Sequence, residues 1–330
     1  NWKDNDRETR LYLVPADGGE TFRFTAGPKD RDPKWSPDGT YVAFIRATPS
    51  KDEEENGKKS QLWLIPATGG EAFQLTDVSE GVNQYVWTPT SDGVVFTSND
   101  PKSKEEKKRV KDGYDAIYVF EGPNGQGRSS WSNIWKVGLS DKKCQQVTKE
   151  EIRVSGLDVS PDGQRVALVY RRENARNRQN LAEIGMARLD DGELVRLTEN
   201  KAPESRVRWK PNSRELGYLA PSDTSWELRQ DRLYVMDGEI NEHRLVSGPF
   251  EGDISNFVWS ADGTRALIEA GAKTNRLIFD LDGSNGSSRE ILANPGVART
   301  VSFSSDGKKA AFVWSDALHA PDVYSIDLSP

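Results

Sequence analysis

The segment YRRENARNR sets Arg171, Arg172, Arg176 and Arg178 within eight residues. A guanidinium matches a carboxylate in two parallel hydrogen bonds, so such a cluster offers anion recognition. A second basic run, residues 102–111, carries six Lys or Arg against Glu105 and Glu106, and the same long segment contains Trp131. Charge runs are ordinarily solvated faces, so a role in binding depends on where the fold puts them. The other reactive side chains read as structural. His243 and His319 are the two histidines, one in a strand pattern and one in a loop, and each is a surface or turn residue before it is a base. Cys144 is alone, which rules out internal disulfides and cysteine-based zinc clusters. Asp280, Asp282 and Asn285 in DLDGSNG have the look of a calcium loop, but Asn285 stands where that loop needs Gly and Ile291 where it needs a bidentate Glu, so a hairpin turn is expected. Glu53, Glu54 and Glu55 fall in KDEEENGKK, a solvated excursion. No catalytic residue, metal site or cofactor site is assigned. The candidate contacts for a substrate or neighbouring domain are Trp131, Arg171, Arg172, Arg176 and Arg178.

What would position these residues is a repeat. KWSPDGTYVAFIR (34–46) recurs as WTPTSDGVVFTS from Trp87, VSPDGQRVALVY from Val159, WKPNSRELGYLA from Trp209, WSADGTRALIEA from Trp259 and FSSDGKKAAFVW from Phe303, six copies spaced 44 to 72 residues apart. A period of that size means an array of supersecondary units. Most copies set Asp-Gly between an aromatic or apolar position and an apolar run, the signature of a hairpin turn. The runs do not alternate, as expected of strands covered on both faces. Trp35, Trp87, Trp209 and Trp259, at the head of the repeat, are expected to pack between units.

A second hairpin lies between copies. LYLVPADGGETFRFT (11–25), QLWLIPATGGEAFQLT (61–76), NIWKVGLSDKKCQQVT (133–148) and EIGMARLDDGELVRLT (183–198) show it most clearly. Each is an apolar strand, a Gly- or Asp-rich turn and an alternating strand, so the last strand of each unit is half exposed. Four strands with burial falling from first to last describe a β-propeller blade. The tally is 25 strands where seven complete blades need 28. The fold expected is therefore all-β, a seven-bladed β-propeller of four-stranded antiparallel blades with the first and last incomplete. As a single domain over 1–330 it has a first-blade outer hairpin at 11–25, blades two to six over about 27–292 and a partial seventh over about 297–330. The missing strands fall at the chain ends, so a fragment of a longer polypeptide is expected. Connections between second and third strands vary most, from 18 residues (Trp259 to Leu277) to 47 (Trp87 to Ile134). Both basic runs lie in them, and function usually follows such insertions.

The repeats W-S-P-D-G-x-x-x-A-F and L-W-L-I-P-A-T-G-G-E-A-x-Q-L-T resemble those of the propeller in the prolyl oligopeptidase family of serine peptidases, particularly its acylaminoacyl-peptidase and dipeptidyl-peptidase branches, and also the TolB repeats. The resemblance implies a non-catalytic domain that gates access and orients peptides for an α/β-hydrolase domain of the same polypeptide, the chain stopping before that domain. The nucleophile motif G-x-S-x-G is absent, so no member of the family's triad maps onto this sequence. The double-glutamate motif of dipeptidyl-peptidase propellers is also missing. Two other readings stand beside this one: a TolB-like module that binds proteins, and a free-standing propeller enzyme. Peptides and a hydrolase domain are the partners expected. A net charge of −7 and a pI near 5.2 argue against nucleic acid and anionic lipid, and no apolar run approaches the ~20 residues that cross a bilayer. A soluble globular protein is expected, with its compartment open.

Overall fold

The computed structural model describes residues 8–27, 29–49, 58–113, 130–199, 202–211, 214–223, 225–238, 242–292 and 294–328. These hold 25 strands and one α-helix, α1 (Lys104–Lys111). The described residues are all-β apart from that helix and short 3₁₀ turns. It divides into two compact units, Asn1–Ser155 with Arg171–Gln179 and Ala187–Leu194, and Gly156–Tyr170 with Asn180–Met186 and Val195–Pro330.

In the first unit, β1 (Tyr12–Leu13) and β2 (Phe22–Arg23) form a two-stranded sheet. β3 (Arg31–Trp35), β4 (Tyr41–Pro49), β5 (Lys58–Pro66) and β6 (Phe73–Gln74) follow as a four-stranded antiparallel meander. β7 (Gln84–Trp87), β8 (Gly93–Asn99), β9 (Ser132–Gly138) and β10 (Cys144–Gln146) repeat it. Both units draw on the next four strands, β11 (Arg153–Val159), β12 (Arg165–Arg171), β13 (Glu183–Arg188) and β14 (Leu194–Arg196). The second unit continues with β15 (Ser205–Trp209), β16 (Glu215–Pro221), β17 (Asp231–Asp237) and β18 (His243–Leu245), then β19 (Asp253–Trp259), β20 (Arg265–Ala272), β21 (Asn275–Asp282) and β22 (Ser288–Glu290). It ends with β23 (Val297–Phe303), β24 (Lys309–Ser315) and β25 (Asp322–Asp327).

Three side-chain devices recur with the repeat. The serine before Asp-Gly closes the inner turn: Ser36, Ser160, Ser260 and Ser304 donate to Asp38, Asp162, Asp262 and Asp306 at 2.5–2.6 Å and accept the amides of Tyr41, Arg165, Arg265 and Lys309 at 2.9–3.0 Å. Gly39, Gly163, Gly263 and Gly307 supply the positive φ, 69–72°, that the turn requires. At the outer edge the hydroxyls of Thr25, Thr76, Thr148, Thr198 and Ser247 accept the amide of the residue 14 positions earlier at 2.8–3.1 Å, locking fourth strand to third. The tryptophans form the third device. Trp87 Nε1 donates to Lys34 O at 3.1 Å, Trp209 Nε1 to Asp158 O at 3.2 Å and Trp259 Nε1 to Arg208 O at 3.4 Å. Each reaches the carbonyl just before the matching position of the preceding repeat. All three are buried, at 5–8% exposure.

Trp35 corrects the expectation that every head-of-repeat tryptophan packs between units: it is 53% exposed. Among the described residues, the sheet before it is the two-stranded β1–β2, which offers no first strand with the equivalent carbonyl.

Burial follows strand rank. β8, β12 and β16 are almost wholly buried, while β18 and β22 are exposed throughout. The core lies between consecutive sheets. One cluster joins Ala43, Leu62 and Leu64 to Tyr85, Trp87 and Phe96, and another joins Leu219, Leu233 and Val235 to Phe257, Trp259 and Ile268. Gly217 shows how close that packing is, because a Cβ there would sit 2.8 Å from Trp259 and 2.9 Å from Phe257.

Candidate functional site

The edge of the first unit where β8 and β12 end and β9 and β11 begin collects most of the sequence-predicted contacts. Asn133 ties this edge together. Its Nδ2 donates to both carboxylate oxygens of Asp100, at 2.9 and 3.1 Å, and to Glu150 O at 3.0 Å, while its Oδ1 accepts from Thr148 Oγ1 and the Glu150 amide. A parallel bridge then sets Ser132 of β9 against Arg153 of β11. Ser132 N donates to Ile152 O, and Val154 N donates to Ser132 Oγ, both at 2.9 Å.

Trp131 immediately precedes this bridge, half-buried, and its carbonyl accepts from Asp100 N at 2.9 Å. Arg153 donates from Nη1 to Ser130 O at 2.9 Å. Arg171 closes β12 and is 8% exposed, and its Nη1 has no hydrogen-bond partner among the described residues. Burial pushes the Arg171 pKa down, the charge of Arg153 adds to the shift, and Glu173 opposes it. Arg172 is exposed and pairs with Glu150 at 3.2 Å. Arg176 opens a 3₁₀ turn over Arg176–Leu181, and Arg178, half-buried within it, donates its amide to Ala175 O at 3.2 Å. Trp131, Arg171 and Arg172 therefore reach one edge, joined by Arg153 and Glu150, which the sequence reading passed over. α1, which carries the other basic run, has Arg109 paired to Glu105 at 3.0 Å and both side chains solvated.

The remaining candidates lie elsewhere. His243 meets Tyr218 Oη through Nδ1 at 2.9 Å, with its pKa lowered by burial, and His319 meets Asp316 at 2.8 Å. Asp282 accepts the amides of Ser284 and Asn285, while Asp280 pairs with Arg265 and Arg289. That is the hairpin turn expected there. Glu53, Glu54 and Glu55 fall outside the described residues. Among the described residues, no group of three or more His, Cys, Asp or Glu is arranged to hold a metal ion, and no helix is long and apolar enough to cross a membrane.

No family model matches the chain. Among curated proteins it is 23% identical over 238 residues to a Bacillus subtilis (strain 168) protein described as "Uncharacterized peptidase YuxL", an alignment covering 72% of this chain and 29% of that one. The chain thus matches less than a third of that relative. Among solved structures, the acylaminoacyl peptidase of Pyrococcus horikoshii superposes with a TM-score of 0.71 at 12% identity, over 100% of this chain and 49% of the other. The β-propeller domain of the Trilobed protease from Pyrococcus furiosus gives 0.66 at 10%, over 99% and 90%. TolB from Acinetobacter baumannii gives 0.57 at 15%, over 88% and 61%. The fold is thus a β-propeller like those of peptidases and TolB, as the repeats led one to expect.

Proposed function

We propose that this chain is the non-catalytic propeller domain of a serine peptidase of the prolyl oligopeptidase family. In this reading seven blades, the first and last incomplete within the 330 residues, restrict entry and orient peptides for an α/β-hydrolase domain of the same polypeptide. The observation that carries it is the superposition of the whole chain on 49% of the acylaminoacyl peptidase. Such a likeness gives fold rather than activity, and the curated peptidase relative adds weight from the sequence. The surface assigned to peptide is the insertion edge of the first unit, where Trp131, Arg153, Arg171 and Arg172 converge.

The test is to express the gene with whatever follows Pro330, with and without residues 1–330. The full polypeptide is expected to cleave short acylated peptides and spare folded protein, and removal of the propeller to abolish that size discrimination. A reading frame that ends without a hydrolase sequence would overturn the proposal in favour of a protein-binding module.

A further inference from the structure

Two arginines of the insertion edge lie on neighbouring strands, β11 and β12, close enough for the charge of one to act on the other. Counting from the head of each repeat, the residue 12 positions on is Ala47, Asn99, Arg171, Pro221, Gly271 and Ser315. Five are uncharged and one is arginine. The residue six positions before the head pairs with it across the first two strands, as Asp253 with Gly271 and Val297 with Ser315. In the third repeat the same register would set Arg153 against Arg171. Arg171 is buried, and its Nη1 makes no bond to any described residue. Glu173, close enough to act on it electrostatically, forms no ion pair with it, and the nearby Glu150 is taken by Arg172. Burying one guanidinium beside another, with no counter-charge in contact among the described residues, costs stability that an ordinary surface arginine does not. A bound anion would offset that cost, since two guanidiniums converging from adjacent strands can share one two-oxygen group.

We infer that Arg153 and Arg171 form a carboxylate-binding site that anchors a peptide by its terminal or side-chain carboxylate. The inference rests on the reading of this edge as the peptide-facing surface. A carboxylate suits the site better than a polyanion, because the surrounding chain is net acidic at −7 and the pair offers two charges within one edge.

The experiment measures binding of a fluorescein-labelled, N-acetylated hexapeptide to the 330-residue chain by polarisation. It compares the free acid, the C-terminal amide, and an amide carrying one Glu side chain. Inorganic phosphate is tested separately by thermal shift. The free acid, the Glu-bearing amide or both should bind at least about tenfold more tightly than the plain amide, and the stronger of the two names the source of the carboxylate. Arg171→Met should erase that preference while leaving the ligand-free protein as stable or more stable. Arg171→Lys should retain part of it and keeps the test open if the methionine variant fails to fold. Equal binding of acid and plain amide would overturn the carboxylate site while leaving the peptide reading intact. Absence of binding by every peptide would overturn both, and stabilisation by phosphate alone would overturn the assignment to carboxylate.

Discussion

Trp35 and Trp209 occupy the same place in the repeat and meet different fates, which makes them a controlled pair. Trp209 is buried and donates its indole proton to Asp158 O, whereas Trp35 stands half in solvent. Truncating a buried aromatic removes its transfer energy and leaves a cavity. Trp209→Ala should therefore cost roughly 3–5 kcal/mol in urea unfolding, and Trp35→Ala in the same chain should shift the midpoint little. A second residue-scale consequence concerns acid. The carboxyls of Asp38 and Asp262 are held at about 2 against an ordinary 3.8, chiefly by hydrogen bonds from Ser36 and Ser260 and then by the amides of Thr40 and Thr264. A depressed folded-state pKa adds stability that is fully present above the unfolded value and is lost as pH falls toward the folded one. Stability should thus decline between about pH 4 and pH 2, and the double variant Asp38→Asn, Asp262→Asn should flatten that part of the curve of urea midpoint against pH.

At the scale of the element, the inner strand holds a feature that residue type concealed. β3, β15 and β23 change register three residues before the repeat's head, and there Asp32, Arg206 and Thr300 adopt φ of 53°, 55° and 59°. This is a β-bulge in a conformation that favours glycine. None of the three is glycine, so the sequence carried no sign of it. Thr300 is exposed and β-branched, hence least suited to that conformation. Thr300→Gly should raise stability by about 1 kcal/mol in chemical denaturation. By contrast the Asp-Gly turns, the buried second strands and the exposed outer strands were legible, because each is written in local pattern: a positive-φ glycine, an unbroken apolar run, an alternation. The nearness of Arg153 and Arg171 was not. It depends on a pairing across 18 residues that no local pattern marks, and it is read from the register of later repeats.

For the molecule as a whole, the repeats foretold the propeller, and connections between second and third strands carry Trp131, Arg171 and Arg172 to one edge. What the repeats could not convey is that Trp35 stands exposed while Trp87 is buried, since both head the same kind of repeat. The described residues hold turn aspartates, strand-locking hydroxyls and one arginine-rich edge, and the two histidines are tied to Tyr218 and Asp316. If the proposed reading holds, the purified 330-residue chain should show no hydrolysis of acylated peptide anilides by absorbance at any pH from 5 to 9, a range of about four pH units chosen to span histidine and carboxylate titration. Measurable turnover that survives repurification would place catalysis within the propeller.

The indole clasps all point one way. Each reaches a carbonyl 51 or 53 residues earlier in the chain and none of the three reaches forward. During synthesis, which delivers the N-terminal part first, every clasp-bearing tryptophan leaves the ribosome after its acceptor has already been made. Translation and docking therefore run in the same direction, each new sheet being received by a surface waiting for it. Reordering the sequence so that Trp209 precedes Asp158 would leave that contact available yet force the tryptophan to emerge before its carbonyl, exposed while it waits.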